Sequence, residues 1–448
     1  MSAHSITSRG LAGRKIPQGT LTPMGALLFA ASEPGAWYDP SDMSTLFQDS
    51  AGSTPVTAVE QPVGRMLDKS GRGNHATQAT TTKRPVLSRR VNLLTKTEGI
   101  LGTMLNGAPT INANALLAPD GTMTATRVIN NGAAATYVGW ETSAEGAIAR
   151  IFLCSDGLTT TWLSLFQSGH KVTNARVVSG PGAVAINSGL CVVSGLSYGA
   201  WTEVEFSSST ITSGLAMFFI YPGSTGAIPA GNGIGVWHPS LTLATDAHLP
   251  YQSVNTATDY DADPSKFPAY LRFDGVDDVM QTGNIDFTST AKMTVWAGAV
   301  ITSHTGSQLI AELGTVSIDA GAFSVFCRTG DARPMWSIAS PQYVLFADPA
   351  SSLTTTINSV VFDRTKNTVG QLSSARQNGV PVIPYTGSSA GAVNSGFANA
   401  ALNIGARNGG TIHFFNGRLY SLIVRGAQTP LSQIEATELY IKQKARMP

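Results

Sequence analysis

Charge is what this chain has least of. Of its 448 residues only 13% are Asp, Glu, Lys or Arg, and they cancel to a formal net charge of +1. A chain this close to neutral has no electrostatic footprint for nucleic acid and no polybasic face for an anionic membrane. Cysteine is scarce too. Cys154, Cys191 and Cys327 are too few and too scattered for a disulfide framework, and none lies in a C-x-x-C pair. They read as three buried thiols in a protein assembled in a reducing cytoplasm. Long hydrophobic runs are missing as well. A run such as 217–221 is far short of the roughly 20 apolar residues that a membrane-spanning helix needs. Residues 1–15 are polar and carry Arg9, Arg14 and Lys15, without the apolar core of a signal peptide. No membrane insertion is expected.

The usual signatures of catalysis are also absent. The seven histidines show no H-x-H or H-E-x-x-H pattern, and there is no G-x-S-x-G elbow, phosphate-binding loop or dinucleotide fingerprint. "GNGIG" at 231–235 precedes a strand rather than a helix, so it has little claim on a phosphate. A glycoside hydrolase needs two opposed carboxylates, and acids on one strand share a face only at even spacing. Glu203 and Glu205 have that spacing but no third acid beside them, and the E-x-D-x-E strand signature of concanavalin-like glucanases is missing. They read as solvated residues, and no catalytic or cofactor-binding residue is assigned. His75 has no second His or Cys at ligand spacing. Asp274, Asp277 and Asp278 cluster beside Gly275. Calcium takes six to eight oxygens from several segments, so turn capping is the expected role and calcium a weak alternative. Asp259, Asp261 and Asp263 read as a solvated cluster in a linker.

What is present is a long series of short β-branched and aromatic runs cut by Gly, Ser, Thr and Asn. This is the pattern of antiparallel sandwiches. "WTEVEF" at 201–206 sets Val204 and Phe206 against Glu203 and Glu205, one buried face and one wet. "KMTVWAGAVIT" at 292–302 places Val295, Ala297, Ala299 and Ile301 on one face. Asn378-Gly379 sits between two apolar-alternating arms, the strongest short hairpin signal. Ser432 and Glu435 read as a capping box on a C-terminal helix. That helix carries Ile434, Thr437 and Ile441 at helical spacing and would pack across a sandwich edge. Residues 1–30 are broken by Gly10, Gly13, Pro17, Gly19 and Pro23, and read as an arm. Its apolar segment, Gly25 to Ala31, is either a docking segment for a partner subunit or a first edge strand.

Two phrases, "DKSGRGNHATQA" at 68–79 and "LRFDGVDDVMQTG" at 271–283, together resemble the opening of the laminin-G/concanavalin-like sandwich carried by phage structural proteins. Here roughly 190 residues separate them. "IGARNGG", "FFNGRLYSLIV" and a terminal "LS-x-x-E" segment follow in the order of that family. Between the two phrases, "VNLLTKTE", "APDGTMTATRVI" and the strand series to 254 resemble carbohydrate-binding-module-like jelly rolls of phage tail proteins, although Pro250 here precedes Tyr251. The resemblance implies an all-β fold of two antiparallel sandwiches, with an extended N-terminal arm and a short C-terminal helix. It divides the chain into a virion-anchoring arm (1–34), the first part of a split lectin-like sandwich (35–89), an inserted jelly roll (90–258), a return linker (259–268) and the rest of the lectin-like sandwich (269–448).

By the same resemblance the chain is a non-enzymatic virion protein. It would be a homotrimeric tail fibre or receptor-binding adhesin that joins other virion proteins through its arm and presents its sandwiches to host cell-surface glycans. A capsid decoration or head-fibre protein is the alternative, and a glycan depolymerase stands behind both. Sugars are bound by exposed aromatics stacked on pyranose faces. The pool is Trp140, Trp162, Trp201, Trp237, Trp296 and Trp336, and core packing is the expected role for each. Trp336, among what read as loop residues with Arg328, Asp331 and Arg333 near it, is the candidate ligand-binding group.

Overall fold

The computed structural model describes residues 24–100, 104–132, 136–143, 147–209, 215–226, 229–256, 259–260, 263–302, 306–315, 320–328, 331–338, 343–346, 354–366, 373–382, 384–388 and 395–448. Residues 1–23 of the expected arm lie outside this set. The fold is all-β: four large antiparallel sheets, a small two-stranded one and a C-terminal helix.

Sheets I and II are built from both ends of the chain. Sheet I runs Val380–Val382, Ser373–Gln377, Thr356–Asp363, Lys292–Ile301, Asn416–Arg425, Tyr270–Asp274, Val86–Ser88, and Gly35–Tyr38 also pairs with Asn416–Arg425. Sheet II runs Leu46–Phe47, Arg65–Met66, Ala76–Thr77, Met280–Asp286, Asn399–Ile404, Gln308–Leu313, Phe323–Arg328, Asp331–Ile338. The two motif-bearing segments meet in sheet II, where Gln281 pairs with Thr77, and nearby Tyr270–Asp274 pairs with Val86–Ser88 through Leu271↔Leu87 in sheet I. Between the sheets Val295, Ala297, Phe273, Leu419 and Leu422 pack on Ile310, Phe323, Leu402 and Ile404.

Sheets III and IV come wholly from residues 104–243. Sheet III runs Ala183–Asn187, Leu190–Ser194, Thr161–Phe166, Leu215–Pro222, Tyr137–Ser143, Met104–Asn106. Sheet IV runs Asn174–Ser179, Thr202–Ser207, Ala147–Asp156, Gly233–Leu243, Ala125–Ile129, Thr110–Leu116. Trp140, Ile151, Leu163, Leu165, Val204, Phe206, Phe218 and Ile234 fill the space between them. Val204 and Phe206 are buried there while Glu203 and Glu205 face outward, as the alternation requires.

The strands Thr356–Asp363, Lys292–Ile301 and Asn416–Arg425 of sheet I do not alternate in burial, because both faces are covered. Val295, Ala297, Ala299 and Ile301 face sheet II. Trp296 and Ile423 face the other way, under two helices. The C-terminal helix, Leu431–Lys444, buries Ile434, Thr437 and Ile441. It lies over this outer face rather than across an edge, because Trp296, Ile357 and Ile423 need covering. Its start is not a capping box: the N-cap is Pro430, with no side-chain cap bond, and Ser432 sits inside the first turn. Glu435 instead pairs with Arg376 at 3.2 Å. The segment expected either to dock on a partner or to form an edge strand is a helix, Met24–Phe29. Leu28 and Phe29 are buried in the chain's own body beside Trp37, Ile423 and Ile434. A six-residue segment has little conformational preference of its own, and the apolar site it fills decides its form.

Asn378 and Gly379 join Ser373–Gln377 to Val380–Val382 as a two-residue turn with φ of 51° and 85°. Both central residues have positive φ, which suits the twist of a tight hairpin. All three cysteines are free and buried. Two buried devices join the sandwiches. Asn92 and Gln252 zip the outgoing and returning chains together: Gln252 Oε1 accepts from Val91 N at 2.7 Å, and Asn92 Nδ2 donates to Gln252 O at 3.0 Å. Arg418 of sheet I meets Asp246, just beyond sheet IV, at 2.5 Å.

Candidate functional site

The tryptophan pool divides by structure. Trp140 and Trp296 are fully buried, each in its own core. Trp237 is 8% exposed and donates Nε1–H to Thr124 Oγ1, and Trp201 donates Nε1–H to the Leu117 carbonyl. Trp336 is not on a loop. It lies in the strand Asp331–Ile338, opposite Val325, with Asp331 and Arg333 on the same strand and Arg328 ending the strand it pairs with. Read alone, "RTGDARPMWS" carries Gly and Pro and no clear alternation. Pairing with the immediately preceding strand, Phe323–Arg328, made it a strand. The side chains of Arg328, Asp331, Arg333 and Trp336 lie outside what the structure describes.

Trp162 stands in a different setting, on the outer face of sheet III. In Thr161–Phe166 the residues Leu163 and Leu165 point into the core, so strand alternation turns Trp162, Ser164 and Phe166 outward. The neighbouring strand repeats the pattern, with Phe218 and Ile220 inward and Met217, Phe219 and Tyr221 outward. Trp162 pairs with Tyr221, and Phe219 pairs with Gly139 on the next strand. Tyr137 completes the row, its ring 5.4 Å from that of Tyr221 and 4.7 Å from that of Phe219. Gly139 is required: a Cβ there would lie 2.1 Å from the Phe219 ring. His170 closes one side, its Nδ1 2.7 Å from Ser164 Oγ and its ring 6.1 Å from Tyr221. Edge-on and tilted contacts of this kind hold aromatic rings in fixed orientation. Burial pushes the Tyr221 hydroxyl up to about 12 and lowers His170, so both are neutral near pH 7.

The two faces of this sandwich differ sharply in charge. The six strands of sheet III contain no Lys, Arg or Asp, and a single Glu, Glu141. Sheet IV carries the charge instead: Arg127 with Asp156, and Glu205 held by Arg150 at 2.6 Å and Arg176 at 2.7 Å. Burial pushes the Glu205 carboxyl up, but its bonds to the two guanidiniums outweigh this and leave it below the usual range. A carboxylate held this way is an ion-pair member, poorly suited to general acid or nucleophilic work. Sequence reasoning named Trp162 but missed Tyr137, Phe166, Phe219 and Tyr221. The signal available was the scarcity of charge, Glu141 alone, along the six strands.

Asp274, Asp277 and Asp278 bring carboxylate oxygens within 4.8 Å of one another. Much of their capacity goes to the turn itself. Asp274 Oδ1 accepts from Val276 N at 2.8 Å and Asp277 N at 3.3 Å, and Asp278 Oδ2 accepts from Asp274 N at 2.9 Å. Burial, then the charge on Asp274, raises the Asp278 carboxyl to about 7. These three residues are the ones that could hold a divalent cation. His75 is engaged elsewhere, its Nδ1 accepting from Asp68 N at 3.0 Å. In the linker, Asp259 caps Asn255 N and Thr256 N, and Asp263 pairs with Lys266 at 2.7 Å, while Asp261 lies outside the described residues.

No protein-family model matches the chain, and no curated protein matches it. Among solved structures it is similar to a Trypanosoma rangeli sialidase in complex with the inhibitor DANA, at 11% identity over 40% of this chain and 28% of that one, with a TM-score of 0.29. It is also similar to the Ruminococcus gnavus IT-sialidase CBM40, at 11% identity over 35% of this chain and 97% of that one, with a TM-score of 0.26. The chain thus spans less than a third of the sialidase it matches. Likenesses at this level say nothing about ligand or chemistry.

Proposed function

We propose that this chain is a non-catalytic, glycan-binding structural protein of a phage virion, a tail fibre or receptor-binding adhesin. The observation that carries the glycan part is the outer face of sheet III. Trp162, Tyr137 and Phe166 are partly exposed there over the buried Phe219 and Tyr221, and the exposed Asn106 and Asn187 stand at the edges. Pyranose rings stack their C–H faces on such rings, and short amide side chains at the border supply hydrogen bonds. The non-catalytic part is supported by the engagement of Glu205 with two arginines. The virion part rests on the two separated phrases and on the strand-turn series near the C-terminus.

Attachment to other virion proteins, and trimer formation, are assigned to the N-terminal end. The described chain starts at Met24, whose Sδ accepts from Thr437 Oγ1 of the C-terminal helix at 3.7 Å. Met24 itself packs on the helix-covered side of sheet I.

The test uses the full chain and immobilised bacterial surface polysaccharide, intact or oxidised with periodate to destroy vicinal diols. Binding to the intact polymer only, lost in Trp162→Ala, is the expected result. Equal binding to both preparations, or cleavage of the polymer by the chain, would overturn the reading.

A further inference from the structure

The charge asymmetry of the inserted sandwich bears on which glycans it takes. Recognition of a sialic acid, uronic acid, sulfated or phosphorylated sugar places an anion in the site. Proteins meet such an anion with the guanidinium fork of Arg or the ammonium of Lys. Sheet III offers neither among the described residues of its strands, and the one ionised side chain it does carry, Glu141, is negative. Burial lowers the pKa of His170, which closes one side of this face, and so disfavours its charged form. An anion laid against Trp162, Tyr137 and Phe166 would lose water and gain no partner. The chain does not lack arginine. It places Arg127, Arg150 and Arg176 on the opposite sheet, where Asp156 and Glu205 occupy them.

Dimensions agree with a chain-like ligand. Trp162, Tyr221 and Tyr137 stand on three adjacent strands. With strands about 4.8 Å apart, they span roughly 10 Å, about the length of two pyranose units. We propose that the outer face of sheet III binds uncharged oligosaccharides across the partly exposed Trp162 and Tyr137, with Tyr221, 6% exposed, packed between them, and discriminates against acidic ones. This rests on the glycan reading above and narrows it to a ligand class.

The experiment compares two panels on the full chain by isothermal titration. One holds neutral gluco-, galacto- and xylo-oligosaccharides. The other holds sialyllactose and uronic-acid oligomers of matched length. Neutral ligands should bind, Trp162→Ala should abolish their binding, and acidic ligands should bind at least about tenfold more weakly. Glu141→Lys, at an exposed position, should narrow that gap at least about fivefold by supplying the missing cation. It keeps the test open if Trp162→Ala fails to fold. Acidic ligands bound as tightly as neutral ones, with the same dependence on Trp162, would overturn the selectivity and leave glycan binding standing. Binding of neither panel, with Trp162→Ala changing only the sedimentation coefficient, would sink both and identify the face as a contact between copies of the chain.

Discussion

At the scale of single residues, the molecule places groups where their ordinary solution behaviour is altered, and Asp278 is the clearest case. It is 6% exposed, and its carboxyl rises from 3.8 to about 7 through burial and the neighbouring Asp274. A carboxyl whose folded pKa exceeds its unfolded value binds its proton more tightly in the folded state. Its contribution is therefore complete below about pH 4 and is lost as pH rises through about 7. The loss is at most about 4 kcal/mol. Asp278→Asn should remove this slope, so the urea midpoints of wild type and variant should diverge between pH 4 and 8. Parallel curves would show that Asp278 titrates normally. A divalent cation held by the three carboxylates would draw the pKa down and flatten the wild-type slope, so the same titration repeated in millimolar calcium tests that role. The cluster itself was legible in the sequence. The burial that perturbs one of its three members was not, because it depends on what packs over the turn.

At the scale of elements, the C-terminal helix illustrates how a correct helix can have a misread end. Its apolar spacing is readable, and Ile434, Thr437 and Ile441 are buried as that spacing requires. The S-x-x-E sequence matches a capping box, but Pro430 is the N-cap, so Ser432 is two residues too late to cap. Ser432→Ala should then shift stability by less than about 0.5 kcal/mol, well below the 0.5–2 kcal/mol of a lost N-cap. The important acid is Glu438, which is 5% exposed and accepts from Ser359 Oγ at 2.5 Å and Arg376 Nε at 3.0 Å. Glu438→Ala leaves Arg376 half-buried beside a vacated partner and should cost about 3 kcal/mol or more. Urea denaturation of the two variants side by side decides the matter, and the reverse ranking would restore the capping box. The hairpin at Asn378-Gly379 was fully legible, because both turn residues declare their backbone conformation chemically. The helix Met24–Phe29 was not, because six apolar residues fit a helix, an edge strand or a partner's groove equally well.

At the scale of the whole molecule, the feature of most consequence is the rigid joint between the two sandwiches. Arg418 and Asp246 are 4% and 2% exposed and lie beside the cluster of Leu243, Tyr270, Val300 and Tyr420. Arg418 also sits 4.7 Å from the Tyr270 ring centre. Breaking a buried pair by removing one partner strands the other charge, at a cost of about 3–5 kcal/mol, whereas replacing both by apolar residues can be neutral. Arg418→Met alone should therefore separate the unfolding of the two sandwiches into two calorimetric transitions. Arg418→Met with Asp246→Leu should restore much of the single transition. If Arg418→Met melts like wild type, the joint is held by the Asn92–Gln252 zip alone. A fixed joint matters for the proposed adhesin because it sets the direction in which the aromatic face points.

The sequence by itself determined the all-β class, the inward–outward assignment of strands such as "WTEVEF", the tight hairpin, the three unpaired thiols and the buried face of the C-terminal helix. Each of these follows from local chemistry: alternation, turn propensity, spacing. Tertiary structure alone decided which of two apolar faces is core. Thr161–Phe166 and Leu215–Pro222 are apolar on both sides, so alternation could not say whether Trp162 or Leu163 would be left outside. Packing against sheet IV settled it, by taking the aliphatic rows and Phe218 and leaving Trp162, Phe219 and Tyr221 on the outer face, where Trp162 is partly exposed and the other two are buried in a second, smaller cluster. It also made a strand of the segment around Trp336, whose partner lies on the preceding strand, and brought residues 86–88 and 270–274 together across the inserted sandwich. The first is a pairing with the neighbouring strand and the second a long-range one, and in both the energy that selects them resides in partners outside the segment itself.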